Sequence, residues 1–173
     1  MIVNLAVAAS SQSNSRDLAE EFVSGLPPSS RLILGGYWGL MQDVADSAAV
    51  RGITVIFTLP IEPKALPPRR SEFIVVDTGM EYRARSVLMC RSCDALVALG
   101  GEAGTIIEIF MAYAMGKPVV VLESSRHSTD LLRGSFGSKL DSRNSAKVHY
   151  AETPAESARL ALKLAQAHNK SEY

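Results

Sequence analysis

The chain has little of what would make it anything but a small folded protein. Only two cysteines occur in 173 residues, so a disulfide framework is excluded and stability must come from apolar burial. No apolar run reaches the ~20 residues of a membrane helix, and the opening MIVNLAVAAS has neither a basic start nor a secretory cleavage pattern. A soluble, cytoplasmic protein that engages no membrane is expected. Neither sign of charge is in excess: eighteen Lys and Arg balance eighteen Asp and Glu. The basic field that dominates affinity for a phosphate backbone is therefore missing, and nucleic acid is not an expected partner. The three histidines, His127, His149 and His168, share no metal-ligand spacing, and no metal site is expected. Internal repeats, low-complexity tracts and linkers are absent too. With 21% charged and 47% apolar residues the chain is neither disordered nor short of core material, and residues 1–173 read as one domain.

What is present alternates between two periods. Ile2–Ala9 is a short apolar run, Arg16–Leu26 repeats apolar residues at helical spacing, and Pro27–Pro28 stops it. Arg31–Leu34 and Ile53–Leu59 read as strands on either side of a helix over Leu40–Arg51, with Gly52 as its C-cap. Pro60–Ser71 holds four of the eight prolines and reads as a surface loop bordering a site. Glu72–Asp77 (strand), Met80–Cys93 (helix), Asp94–Leu99 (strand), a helix from Thr105 through Met115, and Pro118–Leu122 (strand) continue the series. Glu123–Ala146 lacks periodicity and reads as a long irregular excursion. Lys147–Tyr150 is a last strand, and Thr153 with Pro154 opens a C-terminal helix. Repeated βα units imply an α/β protein with an open parallel sheet, Rossmann-like, covered by helices on both faces.

Six of the twelve glycines fall in two windows, Gly35–Gly39 and Gly100–Gly104, each between an expected strand and an expected helix. In such sheets ligands bind beyond the strand carboxyl ends, where glycine lets backbone approach an anion and helix N-termini offer free N–H groups. Tight turns need glycine anyway, but two windows beside the polar Ser10–Ser15 loop point to a phosphorylated ligand. Neither window fits the G-x-G-x-x-G dinucleotide fingerprint, and no P-loop is present. No resident cofactor is expected. Pyridoxal phosphate in particular is unsupported, because Lys64 and Lys117 lie in loops without a Schiff-base context.

The residues Arg85-Ser-Val-Leu-Met89, Asp94-Ala-Leu-Val-Ala-Leu99 and Gly100-Gly-Glu-Ala-Gly104-Thr105-Ile-Ile-Glu108 resemble, in one register without a gap, the R-K-x-x-M and P-G-G-x-G-T-x-x-E signature of the Lonely Guy (LOG) family, long mislabelled lysine decarboxylases. Gly35-Gly-Tyr-Trp-Gly39-Leu-Met is similar to the family's G-G-x-x-x-G-L-M, and Val7–Ser11 to its first phosphate loop. The tail from Leu140 to Glu156 is more similar to the subgroup that includes the molybdenum-cofactor carrier protein. The resemblance implies a Rossmann-like homodimer or higher homo-oligomer that binds a small nucleotide or related phosphorylated ligand. In LOG enzymes it implies phosphoribohydrolase activity, which cleaves the N-glycosidic bond of a nucleoside 5′-monophosphate to base and ribose 5-phosphate. By position, Arg85 and Glu108 are its catalytic pair, while Ser10, Ser11, Gly35, Gly36, Gly39, Met89, Gly100, Gly101, Glu102, Gly104 and Thr105 belong to the phosphate and nucleotide site. The alternative is a non-catalytic carrier or sensor of a nucleotide or a pterin-type molybdenum cofactor.

Three departures bear on that choice. Glu102 replaces a glycine of the phosphate loop and would repel a phosphate unless it turns away, Ser86 replaces the lysine after the arginine, and Ile107 replaces the first of two acids. Glu108, three residues after Thr105, also reads as a capping box, and Arg85 taken alone reads as a solvated helix arginine. Tyr37 and Trp38 either stack on a base or wedge a helix. Cys90 and Cys93 form C-x-x-C at a helix end rather than its start, which favours buried structural thiols over redox or zinc chemistry. The helix Thr105–Met115 is apolar over more than a one-sided stripe, which a subunit interface explains.

Overall fold

The computed structural model describes residues 2–123 and 125–171. Met1, Glu172 and Tyr173 at the ends of the expected 1–173 domain, and Ser124 within the 123–146 segment, lie outside the described residues. The chain runs β1 (Asn4–Ala8), α1 (Arg16–Ser24), β2 (Arg31–Leu34), α2 (Leu40–Val50), β3 (Thr54–Leu59), β4 (Phe73–Asp77) and α3 (Tyr82–Ser92). It continues with β5 (Ala95–Ala98), α4 (Ala103–Ala114), β6 (Val119–Leu122), a 3-10 turn (Ser128–Asp130), α5 (Leu131–Phe136), β7 (Val148–Ala151) and α6 (Pro154–Ser171). All strand pairs are parallel, in the order β4-β3-β2-β1-β5-β6-β7.

Side chains alternate across a strand, and here both sides are apolar because both are covered. Leu5, Val7, Leu34, Phe57 and Val97 meet Phe22, Val44 and Ala158 beneath α1, α2 and α6. Ala6, Ala8, Ile33, Leu96 and Val121 meet Met89, Ile109 and Leu132 beneath α3, α4 and α5. The chain steps outward from β1 to β4, then returns to the other side of β1 at β5. Outgoing loops therefore part at the carboxyl ends of β1 and β5, which opens a crevice there. Among the described residues no helix is long and apolar enough to cross a membrane.

Several expectations are corrected. The 123–146 segment is not irregular throughout: it holds the 3-10 turn and α5, anchored by buried Leu132 and by Phe136 edge-on against Phe110 with ring centroids 5.4 Å apart. Six residues containing Gly134 and Ser135 are too short for a period to register. α5 also covers part of the apolar width of α4 that the sequence assigns to a subunit partner. Helix α4 starts at Ala103 with Glu102 at its N-cap, not at Thr105, so Glu108 lies inside the helix and is no capping residue. In α3, Arg85, Ser86, Met89 and Cys90 are buried, so Arg85 is not the solvated helix arginine it reads as when taken alone, whereas the apolar Val87 and Leu88 are exposed. Thr153 caps α6 as expected, its Oγ1 accepting the Glu156 N–H at 3.1 Å.

Candidate functional site

A cavity of about 390 Å³ occupies the crevice, within the ~300–1,000 Å³ common for ligand pockets. Four segments supply its wall: Ala9–Gln12 after β1, Trp38 and Met41 around the start of α2, Tyr82–Ser86 of α3, and Glu102–Glu108 of α4. Lys64 closes it from the proline-rich loop, which is tied to α3 by the Tyr82 hydroxyl donating to the Glu62 carbonyl at 2.8 Å.

At its floor lies an ion pair. Arg85 Nη1 donates to Glu108 Oε1 at 3.2 Å, with only 7% and 12% of the two side chains exposed. Ser86 Oγ donates to the same carboxylate oxygen at 2.8 Å. Burial pushes the Glu108 carboxyl above the ordinary carboxylate range, against the pull of Arg85 and Ser86. Arg85 Nε is buried and has no hydrogen-bond partner among the described residues. The guanidinium stacks on the backbone of Gly35, where any Cβ would overlap it, so this glycine is required by close approach. Met89 also touches it, Sδ 4.0 Å from Nη1.

The loop residues fall into two groups. Ser10, Ser11, Glu102, Gly104 and Thr105 face the cavity, with Gly104 and Thr105 in the first turn of α4, whose opening N–H groups have no partners within the helix. Gly36, Gly39, Gly100 and Gly101 are not on the wall but hold it in place. The Trp38 ring covers Gly36, and Gly39 takes φ +58° with its Cβ direction 2.6 Å from the Ser10 carbonyl oxygen. That carbonyl accepts the Leu40 N–H at 3.0 Å, and the Gly101 carbonyl accepts the Thr129 N–H at 3.2 Å.

Glu102 turns toward the 3-10 turn. It accepts from Ser128 Oγ and pairs with His127 Nδ1 at 3.2 Å, whose Nε2 is 3.5 Å from Ser13 Oγ. The bonds from Ser128 and His127 hold its carboxyl below the usual range. Tyr37 is the wedge: its ring sits edge-on to Phe57 and Phe73 and its hydroxyl donates to Asp46. Trp38 is on the cavity wall, 6.1 Å from the Tyr82 ring. Cys90 and Cys93 are buried and unpaired. Burial raises both thiols, Cys93 to about 12. Sequence reasoning missed Ser86 as a partner of Glu108, and Gln12, Arg83 and Lys64 as wall residues. The signals for them were the spacing of Ser86 to Arg85, the polar Ser10–Ser15 loop that holds Gln12 and the Pro60–Ser71 loop that holds Lys64.

The comparisons bear on family and fold. The SLOG cluster4 family matches residues 10–158. An uncharacterized protein of Archaeoglobus fulgidus is 37% identical over 101 residues, 55% of this chain and 65% of that protein's length. The crystal structure of TM1055 superposes with a TM-score of 0.79 at 29% identity, covering 93% of this chain and 99% of that one. The molybdenum cofactor carrier protein of Chlamydomonas reinhardtii gives 0.73 at 25% identity, over 96% and 99%. The molybdenum cofactor binding protein of Rippkaea orientalis gives 0.72 at 22%, over 95% and 98%, a likeness of fold. With its signature glycine loop, its crossover crevice and a match across most of its length, the chain belongs to the SLOG cluster4 family, with that family's nucleotide-binding, Rossmann-like fold.

Proposed function

We propose that this protein binds a nucleoside 5′-monophosphate in the β1–β5 crevice and hydrolyses its N-glycosidic bond. The observation that carries the reading is the Arg85–Ser86–Glu108 cluster on the floor of a cavity whose rim is the first turn of α4. The phosphate rests on the Gly104 and Thr105 N–H groups and the Ser10–Ser11 loop, where a helix N-terminus favours an anion. The sugar then faces Glu108. As the C1′–N bond breaks, positive charge builds on the sugar ring. Glu108 faces that charge and takes a proton from the attacking water, whose oxygen joins C1′. The proton passes to the departing base. Burial makes Glu108 a stronger base than an ordinary carboxylate, while Arg85 keeps the ionised form accessible.

A second reading is a carrier that holds a pterin-type cofactor or nucleotide without cleaving it. The full-length likeness to the Chlamydomonas carrier supports it, as does the Ser86 bond to Glu108, which stabilises the carboxylate and weakens it as a base. One experiment separates the two. Purified protein is incubated with a panel of nucleoside monophosphates, and free base and ribose 5-phosphate are followed by chromatography beside Glu108→Gln. Release by the wild type alone supports the hydrolase. No release, with the same nucleotides raising the melting temperature, replaces it with the carrier.

A further inference from the structure

A second cavity, of about 370 Å³, lies at the opposite edge of the sheet. Pro118 and Lys147, the residues just before β6 and β7, are on its wall. Its polar lining is Lys139, Asn144, Lys147, His149 and His168, and no carboxylate lines it among the described residues. The crevice, by contrast, sets Lys64, Arg83 and Arg85 against Glu102 and Glu108.

The topology explains the convergence. Val148 packs in the core beneath α3, α4 and α5, so strand alternation turns His149 to the α6 side. There Leu164 and His168, one turn apart on α6, complete the wall. Six of the twelve arginines, Arg16, Arg70, Arg83, Arg85, Arg133 and Arg143, form ion pairs among the described residues. Lys139 and Lys147 form none among the described residues. The carboxyl ends of α4 and α6 also point here, and each carries roughly half a negative charge. Together they offset about one of the two ammonium groups. Among the described residues the site keeps a net positive charge before either histidine is protonated, in a protein whose formal net charge is zero.

We propose that this cavity is a second binding site, for a pyrophosphate-type anion, either free or as the phosphate tail of a nucleoside diphosphate. Pro118 and Leu164 give the site an apolar floor that the nucleoside would cover. The site is separate from the crevice and does not depend on the hydrolase reading.

The test is a calorimetric titration of the full chain with inorganic pyrophosphate, with the contact region mapped by amide chemical shifts. Saturable binding with shifts at Lys147, His149 and His168 is expected, weakening as salt rises because the paired charges are screened. Lys139→Ala with Lys147→Ala should lower the affinity at least tenfold. ADP separates the sources: shifts in the same residues with tighter binding than pyrophosphate identify the nucleoside form, and equal affinity identifies the anion alone. Shifts confined to Ser11, Gly104 and Thr105, or a double variant that binds as the wild type does, overturn the proposal. The wild-type shift map decides the matter even if the double variant fails to fold.

Discussion

Removing either partner of the Arg85–Glu108 pair should cost stability, but with different pH dependence. The groups are 3.2 Å apart and almost fully enclosed, and stripping one partner from a buried pair costs about 3–5 kcal/mol because the other charge is left uncompensated. A guanidinium cannot shed its proton inside a protein, so Glu108→Leu should lose that amount at every pH from 5 to 7. A carboxylate has an escape. In Arg85→Leu, Glu108 can take up a proton, which from an unfolded value near ~4.3 costs at most about 3.7 kcal/mol at pH 7 and about 1 kcal/mol at pH 5. The sign follows from linkage. A carboxyl whose folded-state value is raised contributes stability fully present below its unfolded value and lost as pH rises through the folded one. The wild-type Glu108 is raised in the same direction, but less than in the variant, because Arg85 favours its ionised form. The gap between wild type and Arg85→Leu should therefore narrow on acidification. Urea unfolding at pH 5, 6 and 7 of both variants and the double variant measures this, and the double should cost less than Glu108→Leu. Equal, pH-independent losses in the two single variants would refute the reasoning.

Gly35→Ala should displace the Arg85 guanidinium from Glu108, costing about 1–3 kcal/mol as overpacking does; a variant with wild-type melting temperature and ligand affinity would show that the contact is dispensable. Glu102→Gln should lower the melting temperature slightly, because the charge that Ser128 and His127 bond is lost, and should leave nucleoside-monophosphate affinity within about twofold, whereas severalfold tightening at low salt would bring that charge within the phosphate's reach. Trp38 is the only tryptophan and lines the cavity, so ligand titration should change the intrinsic fluorescence; an unchanged spectrum at saturation would put the ligand elsewhere. Cys90 and Cys93, enclosed and with raised thiols, should react with a thiol reagent only after denaturation, and rapid labelling of the native protein would contradict their burial.

How much of this was legible in the sequence follows from the range of each interaction. The sheet was legible because parallel strands buried on both faces must be continuous apolar runs, as Ala95–Ala98 and Val119–Leu122 are, and most of them are followed by a turn and a run of helical period. The edge strand β4 is apolar as well, yet Ile74, Val75 and Val76 are exposed, because strand position in the sheet is not a local property. Arg85 and Glu108 were nameable from their register to the glycine loop. Their bond was not, since it crosses from α3 to α4 over 23 residues. The Glu102 carboxylate is turned by His127 and Ser128, some 25 residues away, in a segment whose composition hid a short helix. The difference between Tyr37 and Trp38 likewise depends on Asp46 and Phe73 for one ring and the cavity for the other.

The proposed function depends on where a nucleotide sits in the crevice. The most direct measurement is a crystal structure of the Glu108→Gln variant, in which the proposed general base is replaced by a side chain of the same shape, soaked with a nucleoside 5′-monophosphate. The phosphate is expected against the Gly104 and Thr105 N–H groups and the Ser10–Ser11 loop, with C1′ of the ribose facing residue 108. A phosphate held by Lys64 and Arg83 instead, with the sugar turned away from residue 108, would contradict it.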